Sequence, residues 1–232
     1  MRGKRLFCLL LCLLLGMGAI GAQAESGLYE DAVFVGDSVT QGLRAYLKTL
    51  DGDAPAGLSG ARFLTAQSYM LYVASRKNLL EGHANLFFGG EACTLQKAVK
   101  KLQPGWLFVL LGLNDYAGED VGKHIGYARR LIMLVREVSP DTRIVFQSLT
   151  PVTRAFCRKK DYRTLWQDYN TSLSKMCEEE NVTYLDIGQD MTDEEGYLKE
   201  EFAQDGLCHL NDEGNRAWVE ALRRFAEEER EP

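Results

Sequence analysis

The sequence predicts an α/β fold with a mostly parallel five-stranded sheet that is covered by helices on both faces. Short apolar segments typical of buried strands alternate with longer segments whose apolar residues recur at helical spacing. The strand segments are apolar at nearly every position, as in strands of a parallel sheet with both faces buried. With 46% hydrophobic and 26% charged residues among 232, the composition excludes a disordered or collagen-like chain.

The five predicted strands are short, and each is bounded by polar or turn-forming residues. The segment at 32–35 ends at Gly36, and the segment at 106–111 is the most apolar of the five. The remaining strand segments lie at 62–66, 143–148 and 182–186.

Four segments with an apolar stripe at helical spacing are predicted to be helices. Pro140 ends the second of them, and Asn211 or Asp212 is expected to cap the fourth. The stripes comprise Leu95, Ala98, Val99 and Leu102; Val121, Ile125, Ala128, Ile132 and Val135; Trp166, Tyr169, Leu173 and Met176; and Trp218, Ala221, Leu222 and Phe225.

Residues 1–24 have the plan of a secretory signal peptide. Three basic residues precede an apolar run that ends near Ile20, and Ala24 closes a small-x-small cleavage site. The run is short for a bilayer span, although an uncleaved anchor is the alternative. We therefore expect a secreted or extracytoplasmic protein in which residues 25–232 form one domain without a membrane span.

The charge of the predicted mature chain excludes two classes of partner. Cleavage of the leader leaves 24 basic and 33 acidic residues, a net charge of −9. An acidic chain without a basic stripe is not suited to nucleic acid, because such binding depends on neutralising phosphates. Simple adsorption to anionic lipid is disfavoured for the same reason. No oligomeric state is predicted.

Four cysteines follow the leader: Cys93, Cys157, Cys177 and Cys208. In an oxidising compartment they could form two disulfides, with a bridge from Cys157 to Cys208 as one hypothesis, or they could remain free thiols. There is no Cys-x-x-Cys pair and the three histidines are far apart, so neither a metal site nor a cofactor is predicted.

Ser38 directly follows the first predicted strand, in the segment Gly36-Asp37-Ser38. Ligands of parallel sheets bind beyond the carboxyl ends of the strands. A serine at a helix start presents its hydroxyl and backbone N–H to that cleft, where the helix N-terminus favours developing negative charge. An N-cap serine in an ordinary turn is the alternative. The Gly-x-Ser-x-Gly elbow is excluded because Thr40 replaces its second glycine.

Two further segments carry residues that a serine nucleophile needs. Asn114 follows the third predicted strand, and an amide donor to an oxyanion is worth roughly 3–4 kcal/mol in hydrolases. Asp205 and His209 precede the last helix, and a carboxylate-oriented imidazole can accept the serine proton. Each segment alone could be a local turn or a surface histidine, but together they favour a hydrolase site.

These three blocks, in this order, resemble the GDSL or SGNH hydrolase superfamily, and the likeness spans nearly all of residues 25–232. The resemblance implies a flavodoxin-like three-layer α/β/α sandwich and ester hydrolysis through an acyl-enzyme. It also implies Ser38 as nucleophile, His209 as base and Asp205 as its orienting partner. The oxyanion hole would then use the Ser38 N–H and the Asn114 side chain.

Two features depart from the family pattern. The family usually has Asp-x-x-His, whereas three residues separate Asp205 from His209, so that a Ser–His dyad oriented by a backbone carbonyl is an alternative. The family's second oxyanion block contains a glycine, which is absent from Gln67-Ser68-Tyr69; Gly89-Gly90 is the other candidate.

The sequence therefore predicts a secreted serine esterase that removes a short acyl group, with acetyl as the first candidate, from a carbohydrate or lipid-like substrate. We expect the rate to fall at acidic pH because the base must be neutral. The loops at 51–61, 69–91 and 152–162 would determine specificity. Two alternatives are an O-acyltransferase acting on a glycan and a non-catalytic glycan-binding module.

Overall fold

The protein is described here by a computed structural model. It describes residues 27–50, 52–115 and 120–230, so the leader predicted over residues 1–24 lies outside the described part.

The described residues contain one parallel sheet and one separate hairpin. The sheet has five strands in the order β2-β1-β5-β6-β7, and every neighbouring pair is parallel. The hairpin pairs β3 with β4 antiparallel. The strands are β1 (Ala32–Gly36), β2 (Arg62–Thr65), β3 (Leu86–Phe88), β4 (Glu91–Cys93), β5 (Trp106–Leu110), β6 (Arg143–Gln147) and β7 (Thr183–Leu185). All five strands predicted from the sequence are confirmed, and so is the α/β class.

Helices cover the sheet in two groups. The first and last helices pack on each other, and the third, fourth and fifth pack in series. The four predicted amphipathic stripes form α3, α4, α5 and α6, and the predicted cap Asn211 accepts the N–H groups of Glu213 and Gly214. The helices are α1 (Ser38–Leu47), α2 (Leu71–Ala74), α3 (Leu95–Leu102), α4 (Val121–Val138), α5 (Tyr162–Glu180) and α6 (Asp212–Glu228).

The hairpin begins inside the segment 69–91 that the sequence assigns to a loop, and it ends at Cys93. Gly89 and Gly90 form its turn, with φ angles of 64° and 85°. Two consecutive residues with positive φ match the twist of a tight hairpin, and glycine adopts them without steric cost. The Gly-Gly pair after Phe88 was therefore an indication of a hairpin turn that the helix and strand periodicities do not capture.

Aromatic packing fixes the two central strands against the last helix. The rings of Phe34 on β1 and Phe108 on β5 stack with centroids 4.7 Å apart. Phe225 of α6 meets Phe108 edge-on at 5.7 Å, and Trp218 of the same helix is fully buried. Edge-on and offset pairs of this kind add about 0.5–1.5 kcal/mol to the burial of the rings. The central strands are thus held rigidly, as positioning of reacting groups requires.

The register places two strand ends side by side. Gly36 at the end of β1 pairs with Leu110 at the end of β5. The residues that follow these ends, Ser38 and Asn114, therefore enter the same cleft, as the strand-end rule predicts. Within the described ranges, no helix is both long and apolar enough to cross a bilayer.

Candidate active site

The turn after β1 presents Ser38 at the first position of α1. Asp37 caps the helix, because its Oδ1 accepts the Val39 N–H at 2.9 Å. Gly36 is required by the tightness of this turn: a Cβ at that position would lie 1.9 Å from Thr40 Oγ1. Ser38 itself is half-buried, so its hydroxyl can face both the protein and the cleft.

The structure brings Ser38, His209 and Asp205 together. Ser38 Oγ lies 3.0 Å from His209 Nε2, across 171 residues of sequence. On the other side of the ring, His209 Nδ1 lies 2.6 Å from Asp205 Oδ2. Both distances are within hydrogen-bond range, and the order hydroxyl, imidazole, carboxylate is that of a serine nucleophile with an oriented base.

The long spacing between Asp205 and His209 is accommodated by a turn that the Asp205 side chain closes. Asp205 Oδ1 accepts the backbone N–H groups of Leu207, Cys208 and His209, at 2.8, 3.0 and 3.2 Å. Gly206 adopts a φ of 70°, which tightens the turn. The extra residue is thus absorbed in the loop, and Asp205 Oδ2 still faces the imidazole.

The same contacts keep Asp205 ionised. Partial burial favours the neutral carboxyl, but the hydrogen bonds from His209 and from the backbone of Leu207 and Cys208 outweigh it. Together they hold the pKa of Asp205 below its usual value. An ionised carboxylate at Nδ1 selects the histidine tautomer with its proton on Nδ1, which leaves the Nε2 lone pair toward Ser38.

The loop after β6 supports residues 205–209, the loop that carries Asp205 and His209 (the histidine loop). The sequence did not reveal this supporting role. Thr153 donates its N–H to the Leu207 carbonyl at 2.9 Å and its hydroxyl to the Gly206 carbonyl at 2.7 Å. Thr153 is 1% exposed, so these bonds are shielded from water. Thr153 lies in a loop beyond the end of β6, where no local sequence pattern marks such a role.

Asn114 faces the same turn as Ser38. Its Nδ2 donates to Asp37 Oδ2 at 2.6 Å and lies 3.5 Å from the carbonyl of Tyr69. Asp37 is fully buried. Burial raises the pKa of Asp37 to about 6, although the Val39 N–H and the nearby His209 both lower it. Asp37 was not predicted to take part in the site, because its partner Asn114 is 77 residues away.

Asp115 fixes the segment on the other side of the cleft. Its two carboxylate oxygens accept the N–H groups of Leu71 and Tyr72, each at 2.8 Å, at the start of α2. In the loop before this helix, Ser68 has a φ of 58°, a left-handed conformation that usually favours glycine. Of the two candidates for the second oxyanion block, Gly89 lies in the turn of the hairpin. The segment at Ser68 lies next to Asn114, whose Nδ2 is 3.5 Å from the Tyr69 carbonyl.

The bridge between Cys157 and Cys208, one hypothesis for these cysteines, is not formed. All four cysteines of the described part are free thiols. The Cys208 side chain turns toward the histidine instead, with its Sγ 3.9 Å from His209 Nδ1. Of the two remaining histidines, neither predicted to have a role, His124 is buried in α4 with its Nε2 3.3 Å from the Asp115 carbonyl, and His83 Nδ1 faces the Glu81 carbonyl.

A cavity of about 660 Å³ lies elsewhere, between α5 and the loops that follow β6 and β7. Trp166, Asn170 and Asp186 are among its lining residues, whereas Ser38, Asn114 and His209 are not. The candidate site is instead open, since the side chains of His209 and Asp205 are 41% and 33% exposed. The Ser38 cluster is kept as the candidate site because its side chains lie at hydrogen-bond distances from one another, which is a stronger indication than cavity size.

Comparison with known proteins gives a family and a fold. The model of the GDSL-like lipase/acylhydrolase family matches residues 34–217. A GDSL-like lipase from Bacteroides thetaiotaomicron VPI-5482 has a TM-score of 0.62 and 16% identity, over 86% of this chain and 89% of that chain. A search of curated protein sequences found no match.

Two structures whose names refer to carbohydrates share the fold with similar TM-scores and similarly low sequence identity. A carbohydrate esterase family 3 protein from Talaromyces cellulolyticus has a TM-score of 0.60 and 13% identity, over 85% of this chain and 96% of that chain. An acetyl xylan esterase has a TM-score of 0.60 and 15% identity, over 84% and 98% of the two chains. The α/β fold with its parallel sheet agrees with these similarities, and the chain belongs to the GDSL-like lipase/acylhydrolase family.

Proposed function

We propose that this protein is a secreted serine esterase that hydrolyses short acyl esters, acetyl esters in the first place, of a carbohydrate substrate. The observation that carries the proposal is the chain of two short contacts from Ser38 Oγ through His209 to Asp205, at 3.0 and 2.6 Å. Family membership supports ester hydrolysis as the reaction. The predicted leader at residues 1–24 supports secretion.

In the first half of the reaction Ser38 Oγ attacks the ester carbonyl while its proton passes to His209 Nε2. Asp205 stabilises the imidazolium that forms, and it does not take the proton itself. The imidazolium then protonates the leaving alcohol, and an acyl-enzyme on Ser38 remains. In the second half His209 takes a proton from water, the resulting hydroxide attacks the acyl carbon, and Ser38 recovers its proton as the acid leaves.

Asn114 is the proposed side-chain donor to the oxyanion. One N–H of its amide is held by Asp37, which fixes the orientation of the amide plane. The other has only a long 3.5 Å contact to the Tyr69 carbonyl, a contact that a developing oxyanion can replace. The backbone N–H groups of Ser38 and Ser68 are the further proposed donors; at Ser68 the left-handed backbone takes the place of the family's glycine.

The exposure of the candidate site favours a substrate in which a small acyl group is esterified to a larger polar alcohol. The exposed edges of His209 and Asp205 leave room for a bulky alcohol, and the fold is shared with a protein named as an acetyl xylan esterase. A binding module without catalysis was suggested by the shifted spacing of Asp205 and His209. The 2.6 Å contact between these two side chains removes that argument.

The test is hydrolysis of p-nitrophenyl acetate, p-nitrophenyl butyrate and acetylated xylo-oligosaccharides by the purified protein and its variants. We expect Ser38→Ala and His209→Ala each to lose a factor on the order of 10³ or more in kcat. Acetate should be preferred to butyrate. Ser172→Ala, on α5 and outside the three loops expected to determine specificity, is the matched control and should retain the rate.

Equal rates in Ser38→Ala and the unaltered protein would refute the mechanism. Transfer of the acetyl group to an added oligosaccharide, in place of release as acetate, would instead identify an acyltransferase that uses the same residues.

A further inference from the structure

A side-chain cluster inside the histidine loop has the composition of a zinc site. The carboxylate of Asp205, the thiol of Cys208 and the ring nitrogen of His209 all lie within 4.8 Å of one another. Imidazole, thiolate and carboxylate are the three ligand types that zinc uses in proteins. Each type occurs once within five residues, so a search for paired cysteines or paired histidines does not find this cluster.

We propose that Asp205, Cys208 and His209 form an inhibitory zinc site that captures the base of the esterase. The proposal rests on the function proposed for His209. Three protein ligands would leave a fourth position of the tetrahedron to water.

The distances agree with this coordination after a small movement. Ligand atoms about 2.0–2.3 Å from a tetrahedral zinc ion are separated from each other by roughly 3.3–3.7 Å. Cys208 Sγ is 3.9 Å from His209 Nδ1, close to that range. Asp205 Oδ2 and His209 Nδ1, now 2.6 Å apart, have to separate. Asp205 is anchored by three backbone N–H groups, so the partly exposed imidazole of His209 is the group that moves.

Zinc at this position would block catalysis through the histidine tautomer. Zinc binds the lone pair that Nδ1 has in the other neutral tautomer, so the single ring proton has to move from Nδ1, through solvent, to Nε2. In that tautomer Nε2 donates to Ser38 Oγ and can no longer accept its proton. Cys208 loses its thiol proton to solvent as the thiolate binds. The ion therefore inhibits without occupying the acyl or alcohol position.

The choice of metal follows from the thiol. Magnesium and calcium prefer oxygen ligands, whereas a site of sulfur, nitrogen and oxygen selects zinc and its spectroscopic substitute cobalt. The full chain should therefore be inhibited by ZnCl₂ and not by MgCl₂ at the same concentration, and a chelator should restore the rate.

The test compares the unaltered protein with Cys208→Ser and with Cys157→Ser as matched control, each normalised to its own metal-free esterase rate. We expect Cys208→Ser to raise the zinc concentration for half-inhibition by about tenfold or more, and Cys157→Ser to leave it unchanged. Equal zinc sensitivity in all three proteins would overturn the proposal.

Two measurements do not depend on turnover. Calorimetric titration with ZnCl₂ should show one site in the unaltered protein and in Cys157→Ser, with affinity reduced about tenfold or more in Cys208→Ser. Titration with CoCl₂ should produce a thiolate-to-cobalt absorption band that is absent from Cys208→Ser. No zinc binding, or cobalt binding without that band, would overturn the zinc site even if the esterase is active. Binding with the band in a protein that hydrolyses no ester would support the site and refute only the proposed function.

Discussion

The buried carboxylate of Asp37 allows a quantitative test through protein stability. Asp37 is fully buried beneath the candidate site, and burial raises its pKa from the usual 3.8 to about 6. The folded protein therefore holds the Asp37 proton more tightly than the unfolded chain does. The stability that follows from this difference is complete below about pH 3.8 and is lost as the pH rises through about 6.

The size of the effect follows from the shift. A difference of about two pKa units corresponds to about 3 kcal/mol in the free energy of unfolding. Asp37→Asn removes the titration but keeps an oxygen that can cap Val39, and its new amide can pair with Asn114 if that side chain flips. We therefore expect the free energy of unfolding of the unaltered protein, relative to Asp37→Asn, to fall by about 2–3 kcal/mol between pH 4 and pH 7.

The assay is denaturant unfolding of both proteins at pH intervals across that range, with the free energies subtracted at each pH. The other titratable groups are common to both proteins, so their contributions cancel in the difference, apart from their electrostatic interaction with Asp37. If this difference in the free energy of unfolding does not change with pH, the reasoning is refuted. It is also refuted if the unaltered protein becomes more stable relative to Asp37→Asn as the pH rises, because that is the behaviour of a carboxylate whose pKa is lowered. The flip of Asn114 should also reduce kcat of Asp37→Asn by about 10²–10³, the effect of losing one oxyanion donor.

Three other substitutions test the site and its turn. Asp205→Asn should lower kcat by roughly 10⁴, because the amide favours the wrong tautomer of His209, while the circular dichroism spectrum stays unchanged; a loss below tenfold would show that Asp205 does not orient the base. Asn114→Ala should lower kcat by about 10²–10³ with little change in KM, and an unchanged kcat in steady-state kinetics would exclude it as an oxyanion donor. Gly36→Ala places its Cβ 1.9 Å from Thr40 Oγ1 and should lower the Tm by roughly 3–10 °C in a thermal scan. The matched control is Gly42→Ala in α1, where nothing lies within 4 Å; it should raise the Tm, and equal effects of the two alanines would contradict the clash.

The elements that the sequence could predict are those set by local periodicity. Apolar runs and helical stripes indicated all five sheet strands and the four helices α3 to α6, because burial leaves a clear periodic pattern. The strand-end rule then indicated Ser38 and Asn114, which follow the paired ends of β1 and β5. These predictions need only the order of elements along the chain.

The parts that could not be predicted depend on contacts between distant segments. Thr153 supports the histidine loop through bonds to Gly206 and Leu207, and Asp115 binds the start of α2 some 44 residues away. No local pattern marks such pairs, since any polar residue at a strand end is an equal candidate. The hypothesis of a bridge from Cys157 to Cys208 was wrong, and the alternative of free thiols was right, because the compartment argument permits a disulfide but neither requires it nor chooses its partners.

The two aspartates of the candidate site have opposite environments, and this difference suits the different roles proposed for them. Asp205 is partly exposed and accepts three backbone N–H groups, so it stays charged and can stabilise a positive imidazolium at little cost. Asp37 is fully buried, so its charge at neutral pH opposes folding, yet that charge holds the amide of Asn114 in place. A neutral residue at position 37 would therefore relieve a cost in stability and release the proposed oxyanion donor. Stability and the proposed activity thus conflict at Asp37 and not at Asp205. A substitution selected for stability alone would therefore remove the carboxylate of Asp37 before that of Asp205.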